Sequence, residues 1–183
     1  MVERIGMTAA EFFQLPDSSQ PIELLDGEVI VSPTPVPYHQ RLAFKIAKLL
    51  DTLIPNGEVF IAPLDVRLDE TNVPQPDVMW VAEGSPCVIT DKRLEGPPDL
   101  VVEVYSPSTA KRDKEDKFAL YQRHGVREYW MLDPANRYLE AWTLVEGKYN
   151  KLGTFVPGET FDSPVLGGKT VDLTVIFGSA GEA

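Results

Sequence analysis

Leu100-Val101-Val102-Glu103-Val104-Tyr105 is the stretch on which the fold turns. An apolar run this continuous marks a central strand covered on both faces, as in sheets sandwiched between helices. One carboxylate interrupts it. An isolated charge in such a strand costs several kcal/mol, so Glu103 has to be paired, protonated or bound to a cation. A salt bridge to lysine or arginine is one reading and a metal ligand is the other.

Working outward, Pro76-Asp77 stands directly before a second apolar strand, Val78–Val81. Proline favours the first residue of a strand, which puts Asp77 at the strand mouth. Alone, an aspartate after proline is a turn residue. Beside Glu103 it becomes half of a carboxylate pair suited to Mg²⁺ (or Mn²⁺), which takes one or two carboxylates plus water and substrate phosphate. On the other side of the run, Ser106-Pro107-Ser108-Thr109 forms a polar turn that caps the next helix or contacts a phosphate, with Ser106 leading. A helix over Asp113–His124 follows, closed by Gly125 at C′. Residues 113, 117, 121 and 124 share one side of it. If the helix packs back across the sheet, Lys117 or Lys114 points at the carboxylates, to hold a phosphate or orient an attacking water. Otherwise both are solvated helix lysines.

The remaining elements build a frame around this pair. Thr8-Ala9-Ala10-Glu11 has the spacing of a capping box, starting a short helix. Ile22–Leu25 and Glu28–Val31 flank Asp26-Gly27, a hairpin signal that brings Glu23 forward as a further ligand. From Tyr38 to Ile54 the set Leu42, Ile46, Leu49, Leu50 and Leu53 keeps the helical period, with His39 near its start as a helper acid or base. Glu58–Leu68 reads as two strands broken near Pro63, and residues 83–98 as loop. Arg127–Asp133, Tyr138–Leu144 and Lys148–Phe155 read as a meander, and the apolar tail Val171–Phe177 as a docking segment. The expected fold is α/β or α+β, a mixed central sheet flanked by helices with extra hairpin and meander strands. No linker divides the chain, so residues 1–183 are expected to form one domain.

Composition narrows the function. The 183 residues carry 28 acids against 17 lysines and arginines, a net charge of −11. A protein that coats nucleic acid by neutralising phosphates is basic, so that class is excluded. One stretch runs the other way: Lys111–Arg127 holds six basic residues and three acids. Cys87 is the single cysteine, which excludes a disulfide scaffold. The N-terminus lacks a signal-peptide core, and no apolar run reaches the ~20 residues that span a bilayer, so a cytoplasmic protein without membrane association is expected. Neither a Walker loop, GxGxxG nor GxSxG occurs.

Pro76-Asp77, Glu103 in an apolar strand and a following lysine form the skeleton of the PD-(D/E)XK nuclease superfamily. More closely, the chain resembles the Uma-two-type restriction-endonuclease-like family. The matching stretches include Glu23-Leu24-Leu25-Asp26-Gly27-Glu28, His39-Gln40, Ala62 to Arg67, Gln75 to Val78, Pro98 to Thr109, Lys117 to Tyr121 and Gly125 to Pro134. The resemblance implies a restriction-endonuclease-like core in which Asp77 and Glu103 bind Mg²⁺. The superfamily's lysine stands two residues after the glutamate, where this chain has Tyr105, so the resemblance implies a lysine displaced to the next helix, Lys117.

The resulting expectation is a metal-dependent endonuclease hydrolysing DNA, with Asp77, Glu103 and Lys117 catalytic, Glu23 and His39 in reserve, and Lys114 and Ser106 on the phosphate. A homodimer is expected if both strands of a duplex are cut. The rival is a catalytically silent nuclease fold that binds nucleic acid or protein. A glycosidase using Asp77 and Glu103 fits less well, since Trp80, Trp130 and Trp142 sit in strands as core residues do.

Overall fold

The computed structural model describes residues 6–54, 56–105 and 110–178, with residues 110–113 described by their backbone. Helix α1 (Ala9–Phe12) leads into the hairpin β1 (Ile22–Leu25) and β2 (Glu28–Val31), then the long helix α2 (Pro37–Leu53). Strands β3 (Glu58–Ile61), β4 (Val66–Arg67), β5 (Val78–Val81), β6 (Val88–Ile89), β7 (Leu94–Glu95) and β8 (Leu100–Val104) precede helix α3 (Ala110–His124). The chain continues through β9 (Glu128–Asp133), β10 (Tyr138–Val145), β11 (Lys148–Phe155), β12 (Thr160–Ser163) and β13 (Lys169–Asp172) to the short helix α4 (Leu173–Phe177).

Six strands form the central sheet in the order β11-β10-β9-β8-β5-β3. The pair β8 and β9 is parallel, and α3 supplies the crossover that a parallel pair needs. The other neighbours are antiparallel, so the sheet is mixed. Alternation along β8 sorts its side chains between two cores. Leu100, Val102 and Val104 join Leu42, Ile46 and Leu50 of α2 and Ile176 of α4. Val101 and Tyr105 join Met79, Val81 and the α3 residues Leu120 and Tyr121. Glu103 has the parity of the second set and therefore faces α3.

Local chemistry explains the boundaries. Thr8 and Glu11 close a reciprocal capping box on α1. Pro37 occupies the first turn of α2, where a missing N–H costs no helical bond. Asp26 and Gly27 both take positive φ, 48° and 79°, as the two-residue hairpin turn of matching twist demands.

The hairpin does not stand free. Leu24 exchanges backbone bonds with Val73 at 3.1 and 2.7 Å, and Asp26 N donates to Asn72 Oδ1 at 2.9 Å. Asp69 then ties this knot to the end of α3 by accepting from Asn72 and, at 2.7 Å, from His124 Nε2. Partial burial pushes the Asp69 carboxyl up, but the Thr71 N–H, Asn72 and His124 outweigh it and hold it at about 2. The folded value lies below the ordinary one near 4, so this carboxylate contributes stability above about pH 4 that is lost as pH falls toward 2. The melting-temperature gap between wild type and Asp69→Asn should therefore be widest above about pH 4 and close by about pH 2, as read by thermal melts across that range.

Two segments differ from expectation. Residues 83–98 contain the two-residue strands β6 and β7, which join β4 in a three-stranded sheet. The additional hairpin of β12 and β13 also forms. Strands of two residues leave no alternation to read. The tail docks as expected: Val171, Leu173 and Ile176 are fully buried. Among the described residues no helix is long and apolar enough to cross a membrane.

Candidate functional site

Residues from β1, β8, α2 and α3, with Asp77 just before β5, assemble the site. Val78 of β5 pairs with Val102 of β8, so the residues just beyond, Asp77 and Glu103, come alongside each other. The Val104 N–H donates to Asp77 Oδ2 at 2.7 Å, fixing that carboxylate at the strand mouth. His39 approaches the same oxygen from the first turn of α2, with Nε2 at 3.2 Å.

Helix α3 supplies the cation. Lys117 Nζ lies 2.9 Å from Glu23 Oε1 and 3.0 Å from Glu103 Oε1, bridging hairpin and sheet. Tyr121, one turn on, donates its hydroxyl to Glu103 Oε1 at 2.6 Å. Glu23 is fixed in turn by the Gln75 N–H at 2.7 Å, and Gln75 Nε2 holds Asp65 Oδ1 at 2.7 Å. Glu23, Glu103 and Lys117 are exposed by only 5%, 6% and 7%. Both bonds to Glu103 fall on Oε1, which leaves Oε2 outside them.

Burial sets the electrostatics. It pushes the Glu103 carboxyl above its usual range; Lys117 opposes this, while Asp77 and Glu23 add to it. For Lys117, burial acts to lower the amine, but Glu103 and Glu23 outweigh it and hold the ammonium well above its usual value. Lys117 is therefore held as an ammonium between the two carboxylates. At His39 burial acts downward, but the hydrogen bond to Asp77, the charges of Asp77 and Glu103 and the Val104 backbone together outweigh it and raise the imidazole.

Of the residues singled out in the sequence, Asp77, Glu103, Lys117, Glu23 and His39 come together. Lys114 does not: its amine pairs with Glu140 at 3.2 Å and lies 5.9 Å from the Tyr138 ring centroid. Ser106 falls outside the described residues. Tyr121, Gln75 and Asp65 were missed. The four-residue spacing from Lys117 was the available signal for Tyr121, whereas nothing local marks Gln75 or Asp65.

The basic stretch behaves differently from its count. Lys117 serves Glu23 and Glu103, Arg123 pairs with Asp26, Arg127 reaches Asp99 at 3.0 Å, and Lys114 is on Glu140. Each of these cations is matched by an acid from another element, so the described part of Lys111–Arg127 offers no open cationic patch.

The donors fit a hard divalent ion of the Mg²⁺ type. Among the described residues no group of three or more His, Cys, Asp or Glu side chains is arranged to close around an ion. Two oriented carboxylates beside an open cleft are instead the sparse oxygen set that Mg²⁺ accepts when water and substrate complete its shell. The cleft measures about 950 Å³ and reaches Asp77, Glu103, Lys117, Glu23 and His39 at its floor.

A mixed sheet that sets two carboxylates at adjoining strand ends beneath a helix-borne lysine belongs to the restriction-endonuclease-like class of folds. A crystal structure described as that of a putative nuclease from Anabaena variabilis has the same fold, with a TM-score of 0.76 at 16% identity, covering 93% of this chain and 97% of that one. Residues 9–175 match the Uma2 family, described as "putative restriction endonuclease", and the chain belongs to that family. An uncharacterized protein of Synechocystis sp. is 31% identical over 132 residues, spanning 69% of this chain and 75% of that protein.

Proposed function

We propose that the protein is a metal-dependent endonuclease that hydrolyses DNA phosphodiester bonds, with Asp77 and Glu103 as the metal ligands and Lys117 as the catalytic cation. The observation that carries this reading is the buried contact of Lys117 with Glu103 at 3.0 Å, next to an Asp77 carboxylate held by Val104 N–H. A divalent ion bound there would lower the pKa of a bound water and offset charge on the phosphate.

The chain's own residues supply the rest. Asp77 and Glu103 fix where the phosphate is presented. Lys117, held as an ammonium, neutralises the extra negative charge that builds on the phosphoryl oxygens in the transition state. Glu23 keeps the ammonium from drifting, and Tyr121 does the same for Glu103. His39, hydrogen-bonded through Nε2 to Asp77 Oδ2, keeps that carboxylate oriented. Family membership supports a nuclease.

The test is calorimetric titration with Mn²⁺ alongside a cleavage assay in Mg²⁺. Wild type should bind the ion and cut DNA, and Asp77→Asn should lose about 10-fold to 100-fold or more in metal affinity, the range for disturbing an oriented ligand set. Absence of both binding and cutting in wild type would return the protein to the silent binding module.

A further inference from the structure

Resting on the nuclease reading above, we infer that the substrate is an unpaired, single-stranded segment of DNA, gripped by apolar and aromatic walls, and not an intact duplex. The cleft over the carboxylates decides this. Its floor is deep: Glu103 and Lys117 are exposed by less than a tenth. Its walls are two loops, one following α1 and one following β2, which contribute Phe13, Leu15, Pro21, Pro33 and Pro35, with Tyr38 added from the first turn of α2. Prolines have a fixed φ and no N–H, so these walls are stiff; their apolar faces alternate with the neutral hydroxyls and amide of Ser18, Ser19, Gln20, Ser32 and Thr34, none of which can neutralise a phosphate. Tyr38 is 40% exposed at the rim, where a base can stack on it.

Charge points the same way. Among the described residues lining the cleft are the acids Asp17, Glu23, Asp65, Asp77 and Glu103, against Lys117 as the sole lysine or arginine. A duplex presents one phosphate per about 1.7 Å of axis, twice the density of a single strand, and proteins that grip it match that with rows of lysine and arginine. Here the described lysines and arginine of α3, Lys114, Lys117 and Arg123, are already paired with acids. A single strand can thread between the walls, turn its bases onto proline and tyrosine, and bring one phosphate down to Asp77, Glu103 and Lys117. Cutting one strand takes one site, so activity does not depend on the homodimer that double-strand scission would require.

The experiment compares an unstructured end-labelled oligodeoxynucleotide with the same strand annealed to its complement, both in Mg²⁺, at 50 and 200 mM salt. The single strand should be cut with a kcat/KM at least about tenfold above the duplex. Its KM should rise by less than about tenfold between the two salts, because few phosphates are neutralised; a backbone-gripping protein loses about 10³-fold or more over that range. Tyr38→Ala should raise KM about tenfold with kcat and Mn²⁺ binding unchanged, the loss expected for one stacked base. Phe44→Ala, on the same helix and outside the cleft, should change neither. Duplex cleavage at equal or greater efficiency, abolished by Glu103→Gln, would overturn the single-strand inference while leaving the nuclease reading in place. An unchanged KM in Tyr38→Ala would also overturn it. If neither substrate is cut, and neither binds in Ca²⁺ by fluorescence anisotropy, both readings fall together.

Discussion

Glu103→Gln is expected to reduce Mg²⁺-dependent DNA cleavage by about 10³-fold or more while leaving the fold intact, the scale seen when one group acting on the transition state is removed. The substitution keeps volume and shape. Tyr121 OH still has an amide oxygen to donate to, and Lys117 keeps Glu23 at 2.9 Å. What disappears is the negative charge that a divalent ion and Lys117 both need. Cleavage rates under single-turnover conditions, with circular dichroism melts alongside, separate the two effects. Wild-type cutting by a folded Glu103→Gln protein would remove Glu103 from the mechanism.

Lys117→Met is expected to abolish cleavage and also to destabilise the protein at neutral pH, because two carboxylates are then buried face to face without a cation. Breaking a buried ion pair from one side costs about 3–5 kcal/mol. The pH dependence carries a definite sign. Burial already raises Glu103 above its usual value, and Lys117 is the group that pulls it back. Without the lysine the folded-state value rises further above the unfolded one. The loss is therefore greatest above the folded value and shrinks as pH falls and one carboxyl takes up a proton. Urea unfolding of Lys117→Met at pH 5 and pH 8 should show the larger deficit at pH 8. Adding Glu23→Gln should recover much of the stability without recovering cleavage, since the repulsion goes but the cation does not return. Equal stability of Lys117→Met and wild type at pH 8 would contradict the buried triad.

Much of this site was legible from the chain. Glu103 stood out because a charge in an apolar strand must have a partner, and the structure gives it Lys117 and Tyr121. Asp77 was marked by Pro76 at a strand start, and the parity of β5 and β8 then forces it to the same face as Glu103. Lys117 was marked by the register of α3. Lys114 carried a similar local signal, but Glu140 on β10 captures it, and no local pattern says which lysine a strand some 25 residues away will claim. The same reason undid the basic stretch: counting charges along a helix ignores acids arriving from other elements. Gln75 and Asp65 act through one hydrogen bond each to residues far apart in sequence, and two-residue strands such as β6 and β7 exist only because β4 lies beside them.

By itself the sequence determined the mixed sheet, the long α2 and the carboxylate pair on its strands, since period, capping and the cost of a buried charge are local and strong. The tertiary structure alone decided that Glu23 joins Glu103 on the two sides of one ammonium, that α3's other described cations are neutralised elsewhere, and that an acidic, proline-walled cleft stands over the pair. Those are distances between elements brought together by packing, and electrostatic energy depends on distance in space, not on separation along the chain.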